Sequence, residues 1–360
     1  MCAACAGPVT SLPPLPKDAV EAERRSQQIA QIKDYFARLS RVDSVAFRIR
    51  TANRADCKQS VSAQIGLYAV TPQSLPHKYR SYSAEALNLT WQRPTAISVV
   101  DGAPAAQAGI VAGDEIVAFD GEPTPVNGTP GWIADWLRHN GEKPVRVDLR
   151  HEGADRTVTV TPVMGCAIPI NYVTADEVNA FTDGSRIVIN SAIVNLTRTD
   201  AELAVIIGHE LAHANLGHNE KRMVNTVLGA VGGAAVDVGF LTGGMTTGGA
   251  FTRAFARAGA KAYSIAFERE ADYVGAYYAA RAGYELSGAE EIWRTLGRSH
   301  PGSIGFAGTH PTTPERFIQM QKVADEIADK QRRHLPLVPE LKVMHADVPS
   351  PTELHQDSDN

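Results

Sequence analysis

Residues 205–213 read Val-Ile-Ile-Gly-His-Glu-Leu-Ala-His, and this stretch decides the fold class. Successive side chains of an α-helix are about 100° apart, so His209 and His213 project from one face and can chelate one metal ion. Glu210 lies beside them, where it can take a proton from a water bound to that ion. The stretch therefore predicts a site for Zn2+ on a buried helix, with Glu210 as a catalytic residue.

The third metal ligand separates the enzyme classes that share this pattern. The long metzincin signature needs Gly and His at the positions held here by Leu216 and Asn219, so that signature is absent. His218 is one position short of the required one, and we interpret it as a helix-end residue.

A carboxylate from a second helix is the other solution. Residues 266–273 read Ala-Phe-Glu-Arg-Glu-Ala-Asp-Tyr, and Glu268 and Asp272 are spaced i,i+4, so both can face the first helix. Glu268 is the predicted third zinc ligand. Asp272 is predicted to accept the ring N–H of His209 and fix its tautomer. Glu270 points away from Glu268 and should be a solvated surface group. The alternative for Glu268 and Asp272 is that their spacing only marks an exposed charged face of the helix.

Together with Asn179-Ala180-Phe181 and Thr309-His310-Pro311, these motifs resemble the HtpX-like gluzincin peptidases of family M48, which also contains the CAAX prenyl proteases. The resemblance covers roughly residues 26–60 and 167–335. It implies zinc, peptide-bond hydrolysis, and a mostly helical fold with a small sheet whose edge strand holds substrate. By position, residues 186–190 are the candidate for that edge.

The resemblance also implies that His310 reaches the active site. As a catalytic residue it would donate to the tetrahedral oxyanion, or it would occupy the fourth zinc position in an idle enzyme. A histidine that only shapes a turn is the alternative. Arg316 would assist catalysis or form an ordinary ion pair.

A second resemblance interrupts the first. Residues 103–109, Ala-Pro-Ala-Ala-Gln-Ala-Gly, and residues 113–117, Gly-Asp-Glu-Ile-Val, resemble the PDZ domains of bacterial envelope proteases. The resemblance implies capture of extended peptides, including C-termini, at a sheet edge. We expect the carboxylate-binding loop before Ile97, near residues 84–89. A small β-domain that merely packs is the alternative.

Two of the four cysteines flank the PDZ-like segment. If this segment is an insertion, its stems must meet, and a disulfide between Cys57 and Cys166 would staple its base in an oxidising compartment. Two buried thiols are the alternative. Cys5 ends a run of small residues and precedes a Pro-rich stretch, which is typical of a lipid-bearing cysteine at a lipoprotein start. A disordered start with an incidental cysteine would look the same.

Charge and hydropathy exclude other classes. The 360 residues carry 35 Lys and Arg against 40 Asp and Glu, so a nucleic-acid partner is not expected. An ordinary spanning helix is not encoded. Residues 229–249 hold eight glycines and one charged residue, Asp237. This segment predicts either a flexible lid or membrane-touching hairpin, or two small-residue helices packed closely in the core.

The sequence thus predicts an α+β fold, with a mostly helical zincin core, a small sheet and an inserted β-rich PDZ-like domain. Its predicted parts are a tether (1–17), a first part of the core (18–82), the PDZ-like domain (83–163), the core with the zinc site (164–335) and a tail (336–360). The predicted function is endopeptidase action on misfolded envelope proteins in a bacterial periplasm, with lipid-anchored or peripheral membrane contact. A chaperone-like peptide-binding protein with a latent metal site is the alternative.

Overall fold

The computed structural model describes residue 10 and residues 13–57, 61–242, 246–299 and 314–341. Its helices are α1 (Lys17–Ala52), α2 (His77–Leu87), α3 (Pro104–Gln107), α4 (Thr129–Asn140), α5 (Ser191–Leu196), α6 (Asp200–Leu216), α7 (His218–Thr242), α8 (Ala250–Arg281), α9 (Glu291–Ser299) and α10 (Pro314–Arg332). Its strands are β1 (Val61–Gln64), β2 (Leu67–Val70), β3 (Thr95–Val99), β4 (Glu115–Phe119), β5 (Glu122–Pro123), β6 (Val145–His151), β7 (Ala154–Val160), β8 (Val163–Cys166), β9 (Ile170–Val173), β10 (Ala180–Thr182) and β11 (Ile187–Asn190). The predicted α+β class, a helical core with an inserted β-rich domain, is confirmed.

The largest sheet lies in the PDZ-like part of the chain. Its strand order is β2-β3-β4-β6-β7, with β5 beside β4, and its neighbours pair antiparallel. Ile133 and Leu137 on α4 pack into the same apolar cluster as the sheet. The sheet begins at β2, so it includes a strand that lies upstream of residue 83.

The expected position of the carboxylate-binding loop is wrong. Residues 84–87 belong to α2, and Asn88 ends that helix with a φ of +53°. The loop that leads into the first strand of the sheet is instead at Gly66, between β1 and β2. Gly66 has a φ of +69°, and a Cβ there would lie 2.4 Å from the Cβ of Ala103, so the position requires glycine. In the sequence, residues 64–70 read as one continuous strand, so the pattern gives no sign of this break.

The two stems of the PDZ-like part meet as predicted. Strand β1 pairs antiparallel with β8, and Val61 lies opposite Cys166. The predicted disulfide between Cys57 and Cys166 is present, with a Cα–Cα distance of 5.6 Å. The bond therefore joins the segment that follows α1 to the end of β8.

Helices α1, α6 and α8 share the main apolar cluster of the core. Two glycines set the close crossing of α6 and α8. A Cβ on Gly208 would lie 2.4 Å from the carbonyl oxygen of Gly275, and a Cβ on Gly275 would lie 2.5 Å from the amide nitrogen of His209. Because only glycine permits this approach, the crossing brings the face of α8 that carries Glu268 against the histidines of α6.

The small sheet of the core has the order β10-β11-β9. Strand β11 pairs parallel with β9 and antiparallel with β10, so it is the central strand. The expectation that residues 186–190 form the edge is therefore wrong. Strand β10 is an edge strand, and it packs against α6.

Residues 229–242 of the glycine-rich segment belong to α7, which packs against α8 as a helical hairpin rather than forming a loose lid. A Cβ on Gly233 would lie 2.3 Å from the carbonyl oxygen of Phe251, so the two helices touch there through backbone. Asp237 accepts hydrogen bonds from the amides of Phe251 (3.2 Å) and Thr252 (2.8 Å) and so caps α8 from the neighbouring helix. The close packing of two small-residue helices matches the second reading of this segment, although several apolar side chains of α7 face outward. Among the described helices, none combines the length and apolarity needed to cross a membrane.

Candidate metal centre and its surroundings

Helix α6 is fixed at both ends. The Thr199 hydroxyl accepts a hydrogen bond from the Glu202 amide at 3.2 Å, and the Glu202 carboxylate accepts one from the Arg198 amide at 2.5 Å. Gly217, with a φ of +64°, ends the helix in the left-handed conformation. Residues 202–213 of the helix are all buried, which holds the side chains of residues 209–213 in a dry and rigid setting.

The structure brings His209, His213 and Glu268 together. One potential ligand atom from each lies within 4.8 Å of the others. The two Nε2 atoms are 3.0 Å apart, and the Glu268 carboxylate lies 3.5 Å from Nε2 of His209 and 3.3 Å from Nε2 of His213. All three side chains are buried. Two imidazole nitrogens and a carboxylate that converge in this way form a donor set that zinc prefers in catalytic sites.

The opposite nitrogen of His209, Nδ1, lies against the Asp272 carboxylate. The Nδ1–Oδ1 distance is 2.9 Å. Burial lowers the pKa of His209, but hydrogen bonds to Asp272 and Glu268 outweigh it and raise that pKa to about 10. The centre therefore favours a positive charge, and a metal ion would take the place of the proton.

Arg316, on α10, joins this network from the other side. Its guanidinium donates to both oxygens of Asp272, at 2.6 and 2.7 Å, and lies 3.4 Å from the Glu268 carboxylate. It also stacks over the Trp293 ring, 4.4 Å from the ring centre. Burial opposes ionisation of Asp272, but the Arg316 charge outweighs it and holds the pKa of Asp272 below its usual value. From the sequence, Arg316 was expected either to assist catalysis or to form an ordinary ion pair. In the structure it is a buried partner of the Asp272 and Glu268 carboxylates.

His218, interpreted from the sequence as a helix-end residue, is the first residue of α7, but its contact with the centre was not foreseen. It is 2 % exposed, and its Nδ1 lies 2.9 Å from Nδ1 of His213. Its Nε2 lies 3.1 Å from the Glu270 carboxylate, so Glu270 is a hydrogen-bond partner of His218 rather than a purely solvated group. Burial and the neighbouring His213 lower the pKa of His218 to about 4. A neutral imidazole there can accept the Nδ1–H of His213 and donate its own Nε2–H to Glu270.

Glu210 is buried beside this cluster on α6, one residue after His209. Its negative charge also acts on Arg316, which places it within the electrostatic reach of the centre. His310 and Cys5, which the sequence singled out, lie outside the described residues.

The fold and this buried centre define a class: metallopeptidases that hold their metal with an HExxH helix and a glutamate from a second helix. Residues 167–324 match the model of peptidase family M48, and residues 96–151 match a PDZ-domain model. The chain thus contains an M48 peptidase segment and a PDZ segment.

Three curated relatives share the name mitochondrial metalloendopeptidase OMA1. The Arabidopsis thaliana protein is 30% identical over 39% of this chain and 28% of its own length. The Schizosaccharomyces pombe protein is 22% identical over 46% of this chain and 51% of its own length. The Saccharomyces cerevisiae protein is 25% identical over 40% of this chain and 43% of its own length. The chain therefore spans at most about half the length of these relatives. The expected bacterial periplasmic location is wrong by this comparison, because all three relatives are named as mitochondrial enzymes.

Solved structures of HtrA proteins are similar to this chain over 29% of its length. The HtrA3 PDZ domain bound to a phage-derived ligand is 19% identical over 29% of this chain and 88% of its own, with a TM-score of 0.23. The HtrA-type protease AlgW with a tripeptide is 17% identical over 29% and 33%, also with a TM-score of 0.23.

Proposed function

We propose that this chain is a zinc-dependent endopeptidase that cleaves unfolded or misfolded proteins, and that its PDZ domain recruits or gates them. The observation that carries the proposal is the buried convergence of His209, His213 and Glu268 beside Glu210. The donor set fits zinc, and the acidic surroundings favour a cation.

Zinc bound by these three side chains would lower the pKa of a water and polarise the scissile carbonyl. Glu210 is the base that takes the proton of that water and then delivers it to the leaving amine. Asp272 and His218 each hold one ligand imidazole by its outer nitrogen, which fixes the tautomer that presents Nε2 to the metal. Arg316 balances the charge of the carboxylates without binding the metal itself.

Strand β10 is the proposed edge for the substrate backbone. It packs on α6, and among the described strands it pairs only with β11. An extended peptide can add to its other edge through main-chain hydrogen bonds, which do not depend on side chains. Such binding suits an enzyme that cleaves unfolded segments of varied sequence.

The PDZ domain offers a second edge at β2. The carbonyl of Ile65 accepts from the Ala105 amide and that of Gly66 from the Val100 amide, both at 2.9 Å. In a trans peptide the following N–H points the opposite way, so the amides of Gly66 and Leu67 point away from residues 100–105. Successive amides that point to one side form an anion-binding concavity. We place peptide C-termini there.

Digestion of casein by the purified chain tests the proposed activity. Removal of metal with a chelator should abolish digestion, and stoichiometric zinc should restore it. His310→Ala measured in parallel tests the predicted role of that loop. If neither the zinc-loaded wild type nor His310→Ala digests casein while both still bind peptide, the chaperone-like alternative would be favoured.

A further inference from the structure

A cavity of about 270 Å3 lies between the PDZ domain and the peptidase core. One wall is the PDZ groove, formed by Gly66 just before β2, by Leu67 at the start of β2, and by Ile133 and Leu137 on α4. The other wall comes from the core, with Asp43, Phe47 and Arg50 on α1. The groove is therefore bounded by both parts of the chain.

Arg50 brings a positive charge to this cavity. Its Nε donates to the carbonyl of Cys166 at 2.7 Å, which fixes the guanidinium against β8. Among the described residues, no hydrogen bond is formed by its two terminal nitrogens, and no ion pair within 4.0 Å joins it to Asp43. Asp43 is instead within 3.3 Å of the Ser98 hydroxyl. The cavity is thus lined by a partly buried guanidinium that feels the charge of Asp43 without a direct ion pair to it.

The apolar part of the cavity fits a side chain. Ile133 and Leu137 are buried in the PDZ cluster, while Phe47 reaches the same space from α1. Gly66 and Leu67, whose amides point away from residues 100–105, line the same cavity. An aliphatic last residue with a free carboxylate matches all of these features, since its carboxylate can meet both the amides and a guanidinium.

We infer that the peptide site is a composite one, in which Arg50 of the peptidase core binds the C-terminal carboxylate of a peptide seated in the PDZ groove. This inference rests on the proposed recruiting role of the PDZ domain and adds its specificity residue. Because α1 also contributes Val45, Ala46 and Ile49 to the core cluster, the peptide contacts an element that packs directly on the zinc helix.

Binding to the full chain with the substitution Glu210→Gln tests the inference, because peptides are then not cleaved. The probes are fluorescein-labelled decapeptides ending in Val or Leu, each as the free acid and as the C-terminal amide. The free acids should bind more tightly than the amides. Adding Arg50→Gln should weaken the free acids about tenfold and leave the amides little changed, whereas Arg50→Lys should recover part of the loss.

Arg48→Gln is the matched control, since Arg48 lies on the same helix but is exposed and does not line the cavity. Equal binding of acid and amide by the unsubstituted groove would overturn the inference without any variant. An equal effect of Arg50→Gln and Arg48→Gln, or no binding of any probe, would overturn it too. None of these outcomes depends on catalysis, so failure here is distinct from failure of the proposed peptidase activity.

Discussion

His218 meets His213 through their Nδ1 atoms, which are 2.9 Å apart. If Nε2 of His213 faces a metal, its Nδ1 carries the proton and donates it to His218. Glu270, 3.1 Å from Nε2 of His218, then accepts the next proton. The three residues therefore form a chain with one consistent set of tautomers.

Replacing His218 should weaken zinc binding. His218→Ala removes the acceptor for His213, and loss of such an outer partner typically costs about 10- to 100-fold in metal affinity. Competition with a chromophoric chelator measures the zinc Kd. His139→Ala, at an exposed histidine of α4, is the control. An unchanged Kd in His218→Ala would show that this contact does not orient the ligand.

Arg316 should be the main stabiliser of the carboxylates around the centre. Arg316→Gln leaves Asp272 and Glu268 buried with less compensation, so the free energy of unfolding of the metal-free protein should fall by about 3 to 5 kcal/mol. Chemical denaturation measures it, with Arg332→Gln as an exposed control on the same helix. Equal stability of the two variants would argue against this role.

Part of this centre was readable from the sequence. The i,i+4 spacings of His209 with His213 and of Glu268 with Asp272 indicate shared helix faces, and the structure brings these side chains together. The contact of His218 was not foreseen because it depends on the break of the helix at Gly217, which turns the next helix back toward His213.

Other features depend on contacts between distant segments. The pairing of Arg316 with Asp272 spans 44 residues, and the crossing of Gly208 with Gly275 spans more, so neither has a local signal. The position of β2 in the PDZ sheet was missed because Gly66 interrupts what reads as one strand. Register and the choice of edge strand were likewise set by tertiary pairing rather than by pattern.

The free energy of unfolding should depend on pH because the Asp43 carboxyl is buried. Burial raises the pKa of Asp43 to about 6, although the charge of Arg50 and a hydrogen bond from the Ser98 hydroxyl oppose this shift. The Tyr68 side chain lines the same cavity. A carboxyl whose pKa is raised on folding stabilises the fold most below its unfolded pKa, near 4, and this contribution is lost as pH rises through about 6. The wild type should therefore lose stability relative to Asp43→Asn between pH 4 and 6.5.

Urea denaturation across that pH range measures the difference. Asp34→Asn, at an exposed position of α1, should track the wild type in the same window. A constant difference between wild type and Asp43→Asn from pH 4 to 6.5 would contradict the account of the buried carboxyl.

We propose that Glu210 transfers the proton at a zinc site without itself binding the metal. The most direct measurement pairs zinc content with the rate of casein hydrolysis in wild type, Glu210→Gln and the exposed control Glu285→Gln. We expect one zinc per chain in all three, full activity in the control, and a rate at least about 100-fold lower in Glu210→Gln. Unchanged hydrolysis by zinc-loaded Glu210→Gln would contradict the account.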